Sequence, residues 1–180
     1  MNGELSKMKG KLKIKEILQV IKDIAKNLKC LNDKKLVYTD LKCDNILFKC
    51  NDKKYLHTFI GDLGGICKNG EKNACTWNPW EYRNELGFPN CNEKTMVWCL
   101  GVVFCELLDV NIDIFYWSEI VKKNKEDIEK RIDMISLYKG LQKVYVNKKK
   151  KTTFDKLFKS MLNLDPKKRI SLNKIIQNIN

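Results

Sequence analysis

The stretch from Met96 to Leu108 constrains this chain more than any other. Trp98, Leu100, Val102, Val103, Phe104, Leu107 and Leu108 leave almost no polar face, and Glu106 is the single charge. A helix that is apolar all round is a buried one, enclosed by other elements. It falls short of the roughly 20 residues that cross a bilayer. The spacing therefore predicts a central buried helix over 95–108, and no membrane anchor. With 180 residues, 43% of them hydrophobic, the chain can bury one sizeable core, so a single domain over 1–180 is expected.

Around that helix the periodicity supplies other elements. Ile14, Ile17, Leu18, Ile21, Ile24, Ala25 and Leu28 recur at helical spacing and predict an amphipathic helix over 12–31. Ile46-Leu47-Phe48 and the run Tyr55 to Ile60, separated by Asn51-Asp52, read as a short hairpin ending at Gly61-Asp62. Residues 64–94 hold two of the three prolines and little periodicity, and read as loop. Helical patterns follow over Trp117–Tyr138 and from Phe154 to Leu162, and Asp165-Pro166 separates the latter from a last helix after Ser171. The predicted class is mainly α with a small β-hairpin.

Composition narrows the setting. Eight cysteines lie scattered with no CxxC pair, and His57 is the one histidine, so a zinc site is not expected. The cysteines read as reduced thiols in an intracellular, cytoplasmic protein, and the lysine-rich start has no apolar run of the kind that directs secretion. The net charge of +13 and the run Lys148 to Lys151 would attract polyanions. Lysines are spread over the whole chain without interleaved aromatics, however, so no specific nucleic-acid partner is expected.

The chemistry concentrates around the two strand ends. Asp40 is followed by Lys42 and Asn45, and Asp62 sits in a glycine-flanked turn. Transfer of a phosphoryl group to a hydroxyl needs a carboxylate to accept the proton, a cation to offset charge on the moving group, and oxygen ligands for Mg²⁺. These four residues supply all three.

Tyr38-Thr39-Asp40-Leu41-Lys42-Cys43-Asp44-Asn45 resembles the protein-kinase catalytic loop H-R-D-L-x-x-x-N, and Asp62-Leu63-Gly64 resembles D-F-G. Asn78-Pro79-Trp80-Glu81 is similar to A-P-E, Val97 to Val103 to the D-V-W-S-L-G-V helix, and Leu164 to Ser171 to the L-D-P-x-x-R-x-S signature. Asn2-Gly3-Glu4-Leu5 resembles the end of the kinase hinge. The resemblance covers nearly the whole chain, in order. It implies a protein kinase-like C-lobe: hinge end over 1–5, catalytic loop over 38–45, activation segment over 62–81.

By this likeness Asp40 is the catalytic base and Lys42 the phosphate-contacting lysine of Ser/Thr kinases. Asn45 and Asp62 are the Mg²⁺ ligands, Glu4 reaches the ATP ribose, and Leu47 forms the floor under the adenine. Glu81 and Arg169 form a buried ion pair. ATP and Mg²⁺ are the implied cofactors. With only Met1 ahead of the hinge-like residues, the chain is expected to lack the glycine-rich loop and strand lysine of an N-lobe.

Several positions depart from the pattern. Thr39 replaces the arginine that clamps a phosphorylated activation loop, so activation by loop phosphorylation is not expected. Met96 stands in place of the aspartate that holds the catalytic loop, a change expected to loosen it. A gapless match puts Ala74 at the substrate-pocket threonine, with Thr76 two residues on. Tyr38 for histidine and Leu63 for phenylalanine are expected to preserve bulky packing, and Trp77 and Trp80 to shape a peptide pocket or fill core. An apolar patch is expected around Leu5, Leu47 and Leu63 where a small lobe would pack.

Two functions follow from the likeness. One is ATP-dependent phosphoryl transfer to Ser/Thr of a protein substrate, needing an N-lobe and negligible in the chain alone. The alternative is an inactive, pseudokinase-like truncated kinase that binds a partner kinase, as kinase-like proteins of large DNA viruses are thought to do.

Overall fold

The computed structural model describes residues 3–50, 56–82, 88–112, 122–136 and 156–179. The amphipathic pattern becomes α1, Ile14–Asp33, with Ile14, Ile17, Val20, Ile21, Ile24, Ala25 and Leu28 buried along one face. Its first turn is closed by Glu16, whose Oε2 accepts the Lys13 backbone N–H at 2.6 Å. It ends where Lys35 takes a left-handed backbone, φ 62°. The chain then enters β2, Leu36–Tyr38.

The apolar stretch is α2, Glu93–Leu107, and every residue from Thr95 to Leu107 is buried. The Asn92 side chain caps it, accepting the Thr95 N–H at 3.0 Å. Its surroundings come from the whole chain. α1 crosses it, and the ring of Phe104 lies 5.5 Å from that of Phe158. The guanidinium of Arg169 stacks 5.0 Å over Trp98. At Gly101 an added Cβ would lie 2.8 Å from Leu162 Cδ2, so the helix over 156–161 and the turn after it pack closely because this residue has no side chain.

The β content exceeds a single hairpin. β3, Ile46–Cys50, and β4, Leu56–Ile60, pair antiparallel with Ile46 opposite Ile60, as the apolar runs predict. β1, Gly3–Glu4, adds to the open side of β3, with Glu4 opposite Leu47. A second, two-stranded sheet joins β2 to β5, Ile66–Lys68, across the segment read as loop. Three residues are too few to show an alternation, and their partner lies about thirty positions away, so nothing local marks β5 as a strand.

The remaining described helices are α3, Lys125–Ser136, then α4 over 156–161, and α5, Leu172–Asn178. Ser171 caps α5, which packs on α1. Of the expected helix Trp117–Tyr138, positions 117–121 and 137–138 lie outside the described residues, as do the lysine run and Phe154. No helix among the described residues is long and apolar enough to cross a membrane.

Two expectations are corrected. The cysteines are not all separate thiols: Cys67 and Cys91 form a disulfide, because β5 and the Lys72–Asn90 bridge bring residues 24 apart in sequence side by side. The exposed patch is also different in make-up. Leu5 is fully buried, since the turn Leu5–Met8 folds it in toward the turn Cys43–Asn45. Leu47 is half-buried, and the large apolar side chains exposed among the described residues are Leu63, Phe59 and Phe88, at 59%, 44% and 55%.

Candidate functional site

Strand register determines which groups meet. Gly61 N–H donates to Asn45 O at 2.7 Å, extending the β3–β4 ladder by one step. Asn45 and Asp62 therefore leave the same end of the hairpin. Asp40 is brought to that end by β2 and by Thr39, whose backbone N–H and hydroxyl both donate to Gly65 O, at 3.0 and 3.1 Å.

At the centre, Asp40 accepts hydrogen bonds from three side chains. Lys42 Nζ lies 3.2 Å from both carboxylate oxygens, and Asn45 Nδ2 donates to Oδ2 at 2.6 Å. The Thr76 hydroxyl donates to Oδ1. Partial burial pushes the Asp40 carboxyl up, but the hydrogen bonds of Thr76, Lys42 and Asn45 and the Lys42 charge outweigh it, and its pKa lies below the ordinary value. Asp40 is thus a carboxylate at neutral pH. Of the two candidates for the residue facing it, Thr76 makes the contact and Ala74 is exposed.

Asp62 is exposed and takes a left-handed backbone, φ 44°, with its Oδ1 accepting Gly64 N–H at 3.3 Å. Such a conformation in a non-glycine residue is uncommon and concentrates at functional sites. The Asp62 carboxylate and the Asn45 amide oxygen are both hard oxygen donors, of the kind Mg²⁺ takes together with phosphate oxygens and water, and both residues sit at the same end of the hairpin. Among the described residues no group of three or more His, Cys, Asp or Glu side chains is arranged to hold a metal ion. Glu4 and Leu47, cross-strand partners in β1 and β3, stand side by side on the adjoining sheet.

Glu81 and Arg169 meet as a two-pronged ion pair, Nη1 to Oε1 at 2.8 Å and Nη2 to Oε2 at 2.6 Å. The Arg169 side chain is wholly buried and also donates to the backbone oxygens of Asn163 and Lys94 at 3.0 Å each. Trp77 and Trp80 are 3% and 4% exposed and are core.

Four features lie beyond what the pattern reading identified. Tyr38 is more than bulk: its phenol donates to Gly61 O at 3.1 Å and Asp62 O at 3.0 Å, joining β2 to the Asp62 turn. Burial first, then the charges of Asp40 and Asp62, raise its pKa to about 12 against an opposing hydrogen bond with Asn45, so it remains a neutral donor. Gly65 touches the site directly, for an added Cβ would stand 2.7 Å from Asp40 Cβ. Met96 retains a hold on the loop, its sulfur accepting Tyr38 N–H at 3.4 Å, though as a weak acceptor.

The fourth is Glu106. Its Oε2 accepts Cys43 N–H at 3.1 Å and its Oε1 pairs with Lys9 Nζ at 2.7 Å. Burial alone would pull the Lys9 ammonium down, but the hydrogen bond and charge of Glu106 raise it. A lone charge in an apolar helix was the visible signal in the sequence; which loop it faces was not.

The profile described as "Protein kinase domain" matches residues 1–179. The "Serine/threonine-protein kinase SKM1" of Saccharomyces cerevisiae is 27% identical over 99 residues, 52% of this chain. The match covers 14% of the yeast protein's length, so the chain corresponds to a minor part of that relative.

Proposed function

The chain belongs to the protein kinase domain family, and from that premise we propose that it carries the phosphate-transfer half of an ATP- and Mg²⁺-dependent serine/threonine protein kinase site. The observation that carries the reading is the convergence on Asp40 of Lys42 and Asn45, at the hairpin end from which Asp62 also departs. Asp40 orients a substrate hydroxyl and accepts its proton at a carboxylate oxygen. Lys42, already against that carboxylate, lies where it can offset charge on the transferring group.

Asp62 and the Asn45 amide oxygen would hold Mg²⁺, which would supply charge neutralisation for the nucleotide's phosphates. Glu4 and Leu47 offer a ribose contact and an adenine floor from one strand pair. A glycine-rich phosphate loop and strand lysine are not encoded within these 180 residues. The covering half comes from outside them, in the same polypeptide or another. Positioning is nearly all the catalysis in this chemistry, so the 180 residues alone turn over negligibly.

The test is phosphate transfer from labelled ATP with Mg²⁺ to a basic protein substrate, with and without a separately expressed kinase N-lobe. The chain is compared with Asp40→Asn and Asp62→Ala. The expected result is N-lobe-dependent labelling on serine or threonine that Asp40→Asn lowers about 10²–10⁴-fold. Labelling that persists in both variants refutes the assignment. No transfer at all from the folded chain replaces it with a non-catalytic module that binds a partner kinase.

A further inference from the structure

We propose that Cys75 and Cys99 form a reversibly oxidisable thiol pair, served by hydroperoxides, that clamps the segment between Asp62 and α2 onto the central helix. Their sulfurs are 3.4 Å apart, one on the half-buried loop and the other buried in α2. Both thiols also point at the Trp77 carbonyl, at 3.4 and 3.6 Å, so the loop backbone holds the two sulfurs toward one spot. Reaching the disulfide distance of about 2.05 Å requires a closing movement of just over 1 Å. The loop-borne Cys75 provides it, since Asn92, Arg169 and the enclosing core hold α2 in place.

The location gives the pair its consequence. Cys75 precedes Thr76, whose N–H donates to Thr39 O at 3.2 Å and whose hydroxyl reaches Asp40. A Cys75–Cys99 bond would fix that residue beside the carboxylate. The Cys67–Cys91 disulfide already closes the same segment, and the two spans interleave, each covering 24 positions. Thr39, neutral and tied to Gly65 O and the Asn73 amide, gives this segment no cationic anchor for a phosphate. Thiol chemistry supplies the covalent hold in its place.

The reaction balances with one peroxide. The Cys75 thiolate attacks a peroxide oxygen and the O–O bond breaks; sulfur is oxidised to sulfenic acid and the peroxide leaves as alcohol or water. The Cys99 thiol then displaces hydroxide from that sulfur, forming the S–S bond and releasing water with its own proton. Cys99 is kept protonated by its contact with Cys75 and by burial, which suits the resolving thiol rather than the attacking one.

The full chain is treated with graded hydrogen peroxide, alkylated, and mapped as non-reduced peptides. The expected product is a Cys75–Cys99 crosslink that dithiothreitol reverses and Cys75→Ser abolishes. Proteolytic cleavage within 69–82 is expected to slow about tenfold on oxidation of the native chain, and to be unchanged by peroxide in Cys75→Ser. Cys75 recovered as sulfinic acid or joined to another cysteine, with the chain folded by circular dichroism, overturns the pairing. A crosslink without slower cleavage overturns the clamp. Neither readout uses phosphate transfer, so the outcome is independent of the kinase assignment.

Discussion

Asp40 is held by three side chains and pressed from below by a glycine, and single substitutions test each arrangement separately. Gly65→Ala places a methyl 2.7 Å from Asp40 Cβ and 3.0 Å from its backbone nitrogen, so the two segments must separate. It is expected to cost about 1–3 kcal/mol in denaturant unfolding. Because the displaced group is Asp40 itself, the N-lobe-dependent transfer proposed above should fall further than that loss of stability accounts for. Tyr38 answers to pH. Its folded pKa, about 12, lies above the ordinary 10.0, so the neutral phenol is favoured by folding. The stabilisation is complete below pH 10 and is lost as pH rises from 10 towards 12. Thermal melts of the native chain and Tyr38→Phe should therefore differ most near neutrality and converge over that alkaline window.

Among the elements, α2 bears the close contacts on which the others depend. Gly101→Ala drives a methyl to 2.8 Å from Leu162 Cδ2 and 2.9 Å from its Cγ, so the buried Leu162 side chain must move within the packed core. A loss of about 1–3 kcal/mol is expected, with a partial return when Leu162 is trimmed to Ala in the same chain. Arg169 joins the Trp80–Tyr82 turn, α2 and the Asn163 backbone through one guanidinium. Arg169→Met leaves Glu81 without its cation and should cost about 3–5 kcal/mol. Adding Glu81→Gln should recover part of that, which a double-mutant cycle in urea measures. α1 and α2 were legible as sequence because their signals are local: a 3.6-residue stripe in one, an unbroken apolar run in the other. β1, β2 and β5 were not, since strands of two or three residues carry no period and exist only through partners elsewhere in the chain.

For the molecule as a whole, the formal charge of +13 over 180 residues imposes a self-repulsion that the compact state bears more than the unfolded one. Raising ionic strength from about 0.01 to 0.15 M shortens the screening length from about 30 to 8 Å. The thermal midpoint is expected to rise with sodium chloride, and a fall would show that specific ion pairs outweigh net charge. Charge is a sum over residues and was legible from composition. Asp40, Lys42, Asn45 and Asp62 were legible as candidates from residue type and order along the chain. What was hidden were the contacts closed over long separations, namely Gly65 on Asp40, Tyr38 on Asp62, Cys67 on Cys91 and Glu106 on Cys43. Glu106 has a mechanical consequence. Beside the β1–β3 pairing that ties Glu4 to the strand leaving the Asp40 loop, Lys9 and Cys43 hang from the two oxygens of one carboxylate at the end of the most deeply enclosed helix. A displacement of the Leu5–Gly10 turn is thus expected to reach the Cys43 backbone, which lies between Asp40 and Asn45 in the candidate site. The turn at one end of the candidate site and the loop at the other share a single carboxylate as their anchor, like two arms on one pivot.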